Sequence, residues 1–488
     1  MALSFAEGKL TWDRSRFDFE RAMFHAFVGL LVWLPIPLGS NRPWAWAVME
    51  IAIFVLLAAW AIAWALGKVR AADALLKSWP AWIAMGVWLA IQALHVMELP
   101  SGLVAFLSPA AGRMHALAAD AGVIDHWTTL SIDPQASRVS LLKSLAYAGI
   151  FFLALVLCNR RSRVHRLAQV LVYAAVAHAV YAVLLHLAGA QQDFFGIRLR
   201  HENAAGTYVN RNHFAGFLEM SLAIGIGLLI AGLSDRSADT WKKFLRLTLE
   251  WILSPKMVLR LALCVLVIAL TTTHSRMGNA AFFASLLVAG AVGIALSRYA
   301  TRNTVLLLAS LVAIDLFVVG SWFGVEKLAK RVQETTMEDV QAREEPPEAA
   351  MNLIRDYPVF GAGPGTFYLA FPPYRTEKIG SFFDHAHNDY VQFAAESGVL
   401  GLAILGVFVL LCVAAALRAQ WQRRDPLMRG MSFACIMGVT AILIHSWVDF
   451  NLQIPANAAL FMVLCSLGWL SLYLDRREGA AKTRNDDA

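Results

Sequence analysis

His385 and His387 stand one residue apart, with Asp384 before them and Asn388, Asp389 and Tyr390 after. Two imidazoles, two carboxylates and an amide in so short a stretch are the makings of proton transfer, because a neutral imidazole is matched to taking a proton near pH 7. His385 and His387 are both candidates for that role. The same groups (Asp384, His385, His387, Asp389) also form a candidate metal set, since i, i+2 spacing suits an extended loop. A third reading is a loop histidine satisfied by backbone groups. Soon afterwards the chain turns apolar at Gly398-Val399-Leu400-Gly401, so the cluster lies where a water-facing loop becomes a hydrophobic helix.

The elements that position this cluster follow from composition. The chain is 58% hydrophobic and 16% charged over 488 residues, with mean hydropathy +0.55. The excess is gathered into about twelve apolar runs, each long enough to cross roughly 30 Å of hydrocarbon as a helix. They lie near 23–39, 44–66, 79–96, 140–158, 167–189, 213–233, 258–273, 279–297, 304–323, 398–417, 430–446 and 455–473. The expected fold is an all-α polytopic membrane protein of about twelve transmembrane helices. Its segments are an N-terminal cytoplasmic piece at 1–22, helices 1–9 over 23–323, a large, partly helical loop at 324–397, helices 10–12 over 398–473 and a tail at 474–488. The first twenty-two residues are of mixed charge and read as no cleavable signal peptide.

Most of the 42 Lys and Arg fall at the termini and in alternate gaps, such as Arg160, Arg161, Arg163 and Arg166, or Arg418, Arg423, Arg424 and Arg429. The positive-inside rule then places both termini in the cytoplasm, and puts the loops at 97–139, 190–212 and 324–397 on the opposite face. The net charge of +7 is therefore a topology signal, and nucleic acid is not an expected partner. Cys158, Cys264, Cys412, Cys435 and Cys465 lie in or beside apolar runs, which suggests neither a disulfide framework nor a cysteine metal site.

Against that bias, Arg198, Arg200, Arg211 and Arg276 occupy short outer connections. Arg211 lies in Asn210-Arg211-Asn212-His213-Phe214-Ala215-Gly216, and Arg276 in the turn Thr273-His274-Ser275-Arg276-Met277-Gly278. Long cations at helix ends often snorkel to headgroups. Guanidinium is also the side chain suited to bidentate phosphate binding, and at membrane level that phosphate would be a lipid diphosphate. His213, Asn388, His385 and Arg375 are supporting candidates, and His445, beside Trp447, Asp449 and Asn451, is a candidate for the same cavity. Glu50 and Glu219 fall in or near spans, where a carboxylate is functional or paired with a polar partner. In the large loop a charged helix over Val325–Arg343 is expected to break at Glu344-Glu345-Pro346-Pro347, ahead of a short helix over Ala349–Arg355. Gly361-Ala362-Gly363-Pro364-Gly365 lacks the βαβ setting of a nucleotide fingerprint and reads as a tight turn that brings backbone close to a ligand or the membrane.

From about residue 200 to 450 the chain resembles the O-antigen ligase and O-antigen polymerase superfamily of bacterial membrane glycosyltransferases. The resemblance rests on His387-Asn388 followed by Gly398-x-x-Gly401. Asn210-Arg211-Asn212-His213-Phe214-Ala215, Ser275-Arg276 and the Pro358…Gly361-x-Gly363-x-Gly365…Phe367 segment support it. It implies a GT-C-like enzyme of the bacterial inner membrane. The enzyme would move a glycan from undecaprenyl diphosphate to an acceptor hydroxyl on the periplasmic face, with inversion and with no metal or other cofactor. The acceptor would be lipid A-core, a lipid-linked glycan in polysaccharide biosynthesis, or a protein hydroxyl. His387 would be the base, and Arg211 and Arg276 would hold the diphosphate. The alternatives are a small-anion transporter of the same superfamily or a non-catalytic polysaccharide-assembly subunit.

Overall fold

The computed structural model describes residues 19–122, 127–190, 192, 196, 203–232, 255–296, 309–310, 313, 337–376 and 382–474. Arg198, Arg200, nearly all of the expected span at 304–323, most of Val325–Arg343 and the C-terminal tail after 474 lie outside the described residues, as does nearly all of the N-terminal segment.

The protein is an all-α polytopic membrane protein. Among the described residues nine helices are long and apolar enough to cross a membrane, and a shorter apolar helix adds to them. We number the long helices α1 (19–33), α2 (Pro43–Ala65), α3 (Trp79–Val96), α4 (Pro134–Leu157), α5 (Arg161–Leu187), α6 (Arg211–Ala231), α7 (Pro255–Thr272), α8 (Arg276–Leu296), α9 (Met337–Asp356), α10 (Asp389–Gln422), α11 (Pro426–His445) and α12 (Pro455–Tyr473). Each span expected within the described residues is realised as a helix. Several start earlier than the apolar run because a polar cap closes the first turn. Asp133 accepts from Gln135 and Ala136 N–H ahead of α4, and Asp425 accepts from Leu427 and Met428 N–H ahead of α11.

The centre of the bundle is α6, α11 and α12. In their most apolar stretches 89%, 78% and 94% of residues are buried, against 22% for α2. Lipid supplies no hydrophobic drive between helices, so close packing must do so, and small residues permit it. A Cβ on Gly227 would run into the Gly430 carbonyl oxygen and lie 3.0 Å from Ala434 Cβ. Backbone therefore meets backbone where α6 crosses α11.

A second, smaller core lies outside the bundle. Val104, Ala110 and Ala111 from helices Ser101–Leu107 and Pro109–Asp120 pack with Ala349, Ala350, Leu353 and Ile354 of α9, with Phe367 and Phe371, and with Ala394 and Ala395. A pairing of Leu99–Pro100 with Trp127–Thr128 closes the first of these loops and is a small departure from an all-helical chain. The expected break at Glu344-Glu345-Pro346-Pro347 does not occur, and one helix runs from Met337 to Asp356. A proline inside a helix costs about 3 kcal/mol, and burial of Ala349, Ala350, Leu353 and Ile354 in this core holds the C-terminal half in place.

α10 is two helices joined at Gly398, which has φ 69° and ψ 175°. Residues 389–397 belong to the outer core, and 399–422 make a span of about 36 Å. The reason for the break is a crossing segment: Val399 N–H donates to the Pro358 carbonyl at 2.9 Å, and a Cβ at Gly398 would strike the Val359 carbonyl oxygen. The Gly361–Gly365 turn is likewise packed against protein. A Cβ on Gly361 or Gly363 would run into Glu396 backbone or Ser131, so what these glycines approach closely is the chain itself.

Candidate functional site

Phe450 is the centre on which the candidate histidines converge. His385 stacks on its ring at 4.3 Å with a 26° tilt, while His213 and His387 meet it edge-on at 4.5 Å and 4.9 Å. His213 comes from the first turn of α6, Phe450 from the connection between α11 and α12, and the other two from the loop before α10. Residues more than 230 positions apart thus meet at one end of the bundle. No spacing rule in the sequence pointed to Phe450, which lies one residue beyond the flagged Asp449.

His387 has φ 51°, a left-handed conformation uncommon for a residue with a side chain. Such backbone persists only where neighbours hold it. Asn388 does so: its amide nitrogen donates to the Trp447 carbonyl at 2.8 Å, and its Oδ1 caps α10 by accepting Val391 N–H at 3.1 Å. His274, two residues before Arg276, shares the left-handed conformation (φ 52°).

Arg211 opens α6 two residues before His213 and donates to Asn203 Oδ1. Arg276 opens α8 as an exposed side chain, and the next turn of that helix lies against α6: a Cβ on Gly278 would come 2.6 Å from Ala215 and 3.0 Å from Glu219 Oε1. Both arginines therefore head helices whose first turns pack together beside His213. At a helix N-terminus the unbonded N–H groups add to their positive charge. Arg375 is placed by a different contact. It ends the Pro372–Tyr374 turn, and Tyr374 donates to Asp356 Oδ2 at 2.6 Å on α9.

Below the histidines lie two carboxylate–imidazole pairs. His213 Nε2 is 3.2 Å from Asp449 Oδ1, which also accepts Phe450 N–H at 2.8 Å. Burial would raise the Asp449 pKa, but the charge and hydrogen bond of His213, together with His445, hold the carboxyl below its ordinary range. His445 Nδ1 is 2.8 Å from Glu219 Oε1, both fully buried, which makes His445 the polar partner expected for Glu219. Among the described residues Glu219 Oε2, His445 Nε2 and Asp449 Oδ2 have no hydrogen-bond partner.

The metal alternative is not assembled. The Asp389 carboxylate turns away from the histidines to accept Ser446 Oγ at 2.8 Å and Leu452 N–H at 3.1 Å, and among the described residues no three His, Cys, Asp or Glu converge as ligands would. Gln392 and Glu396, not picked out as site residues from the sequence, prove to tie the histidine loop down. Their placement with Asn388 at i, i+4 and i+8 on one helical face was the available signal. Beside the 389–397 helix a mainly apolar cavity of about 340 Å³ is lined by Trp88, Lys143, Phe393, Leu405 and Phe461, with Asp389 and Glu396 at its wall.

Residues 261–406 match the family model described as O-antigen ligase, a stretch that includes Arg276 and His387 and stops short of Phe450. This part of the chain is similar to the O-antigen ligase family, in agreement with the resemblance seen in the sequence, and the similarity supports a membrane glycosyltransferase of the ligase or polymerase type. No curated protein matches the chain.

Proposed function

We propose, from the similarity of residues 261–406 to the O-antigen ligase family, that the protein transfers a glycan from undecaprenyl diphosphate to an acceptor hydroxyl, inverting the anomeric centre, without a metal. The site lies on the periplasmic face of the bacterial inner membrane, with both termini cytoplasmic. One observation carries this reading: His213, His385 and His387 gather around Phe450 beside the packed first turns of the helices that Arg211 and Arg276 head.

In the proposed step His387 takes the proton of the acceptor hydroxyl as its oxygen attacks the anomeric carbon. The bond from that carbon to the diphosphate oxygen breaks, and the electron pair leaves on the diphosphate. The guanidinium groups of Arg211 and Arg276 offset the charge that grows there. The imidazolium then gives its proton to the departing diphosphate or to water. His213 and Asn388 position these groups, His385 faces the donor, and Arg375 supports the outer rim. Lipid A-core, a lipid-linked glycan and a protein hydroxyl are the acceptors to be compared.

The test is transfer by the purified full-length protein in lipid, offered an undecaprenyl-diphosphate-linked glycan with each acceptor in turn, without and with a chelator. The acceptor that is glycosylated distinguishes ligase from polymerase. Loss of transfer with chelator would sink the metal-free step, and undiminished transfer by His387→Ala would sink the assignment of the base.

A further inference from the structure

The side chain of Gln392 is 1% exposed and makes three contacts. Its Oε1 accepts Ala386 N–H at 2.8 Å, its Nε2 donates to Glu396 Oε1 at 2.9 Å, and the same Nε2 lies 2.9 Å from His385 Nδ1. These contacts determine one another. A backbone N–H can only donate, so the Gln392 atom facing Ala386 must be the oxygen. The amide nitrogen then faces the other two groups with two hydrogens, one for the Glu396 carboxylate and one for Nδ1. Nδ1 of His385 is therefore an acceptor and bears no proton, and the neutral ring holds its single hydrogen on Nε2.

The anchor for this chain is itself fixed. Glu396 also accepts Gly365 N–H at 2.9 Å and Phe367 N–H at 3.3 Å, so the Gly361–Gly365 turn holds the acid that orients Gln392. The plane of the His385 ring is set by its stack on Phe450, the same ring that His387 meets edge-on. No acceptor for His385 Nε2–H is found among the described residues, and the side chain is only half-buried.

We propose that His385 is a fixed, neutral hydrogen-bond donor that presents Nε2–H to an oxygen of the bound glycosyl diphosphate. The assignment rests on the transferase reading above and divides the work of two neighbouring histidines: His387 accepts a proton, and His385 donates a hydrogen bond without titrating. His385 has no vacant site for a proton, since Nε2 already carries one and Nδ1 is engaged by Gln392. Its surroundings agree. Burial chiefly holds its pKa down to about 4, with His213 and Lys143 opposing protonation and Asp384 favouring it.

Two measurements on the full-length protein in lipid nanodiscs test this. In ¹⁵N-histidine spectra, the signal lost in His385→Gln should show a protonated Nε2 and a bare Nδ1, unchanged between about pH 8 and 5.5. A proton on Nδ1, or titration within that range, overturns the assignment. With undecaprenyl-diphosphate-linked glycan as donor substrate, His385→Phe keeps the stack on Phe450 and loses the N–H. It should raise the KM for that substrate at least about tenfold, the scale of one hydrogen bond to a charged group. His385→Gln, whose amide N–H can take the place of Nε2–H, should stay within about threefold of wild type, and both should keep the wild-type pH profile. Equal losses in the two variants, or a lost limb of the pH profile, overturn the role. Absence of transfer by the wild type would remove the ligand along with the transferase reading, while the spectrum would still decide the tautomer.

Discussion

Glu396 and Glu219 are both buried acids near the site, and their surroundings differ. Glu396 meets three donors, the N–H groups of Gly365 and Phe367 and the amide of Gln392. Glu219 meets one, His445, and its second oxygen has no partner among the described residues; the same is true of Asp449 Oδ2, Asn451 Nδ2 and Asn279 Oδ1. A buried polar atom left unmatched costs about 1–3 kcal/mol. The fold surrounds the acid that holds the Gly361–Gly365 turn with three donors and gives Glu219 the single contact with His445. The contrast predicts that Glu396 matters chiefly to stability and Glu219 chiefly to transfer.

Variants can break or sharpen that contrast. His387→Ala should lower transfer by about 10²–10⁴-fold, the range for a lost general base, while the melting temperature stays near that of wild type; parallel activity and unfolding assays separate the two. Gly398→Ala should do the reverse. Its Cβ meets the Val359 carbonyl at a left-handed residue, and a loss of roughly 2–4 kcal/mol is expected in denaturant or thermal unfolding.

The two acids give the direct comparison. Glu396→Ala leaves the Gly365 and Phe367 N–H groups unmatched and should cost about 2–3 kcal/mol in stability. Glu219→Gln should cost less than about 1 kcal/mol, because one acceptor oxygen remains to face His445, yet reduce transfer about tenfold per folded molecule. If Glu219→Gln unfolds the protein and spares its specific activity, the contrast fails.

The smallest effect is on pH. His385 has a folded pKa of about 4 against an ordinary 6.5. Between those values the unfolded chain binds more protons than the fold, so the contribution of His385 is complete above pH 6.5 and is lost as pH falls toward 4. Melting temperature against pH should show a shallower acid slope for His385→Gln than for wild type, with Asp384, His213 and Lys143 unchanged around it.

Much of this was legible in the sequence. Long apolar runs have one structural solution in a bilayer, so the helices followed from composition, and arginines standing against the charge bias marked the heads of α6 and α8. The rest depends on tertiary contact. Phe450 is one aromatic among many until three imidazoles meet it. Gly398 sits in an apolar run whose hydropathy is blind to the carbonyl of Val359 crossing it. The prolines at 346 and 347 argue locally for a break, and burial of residues further along the helix prevails. The Gly361–Gly365 turn looked like a ligand cradle because the sequence does not show that helix 389–397 and Ser131 already fill that space.

The close crossing of α6 and α11 at Gly227 and Gly430 fixes the tilt of α6. Arg211 is sixteen residues along α6 from Gly227, a lever arm of about 24 Å. A tilt of about 5° at the crossing would carry the guanidinium end through roughly 2 Å, and about 1 Å of misplacement is enough to cost a hundredfold in rate. Bulk introduced at either glycine, at the far end of the bundle, would therefore be read out as a defect in chemistry at the opposite end of the helix.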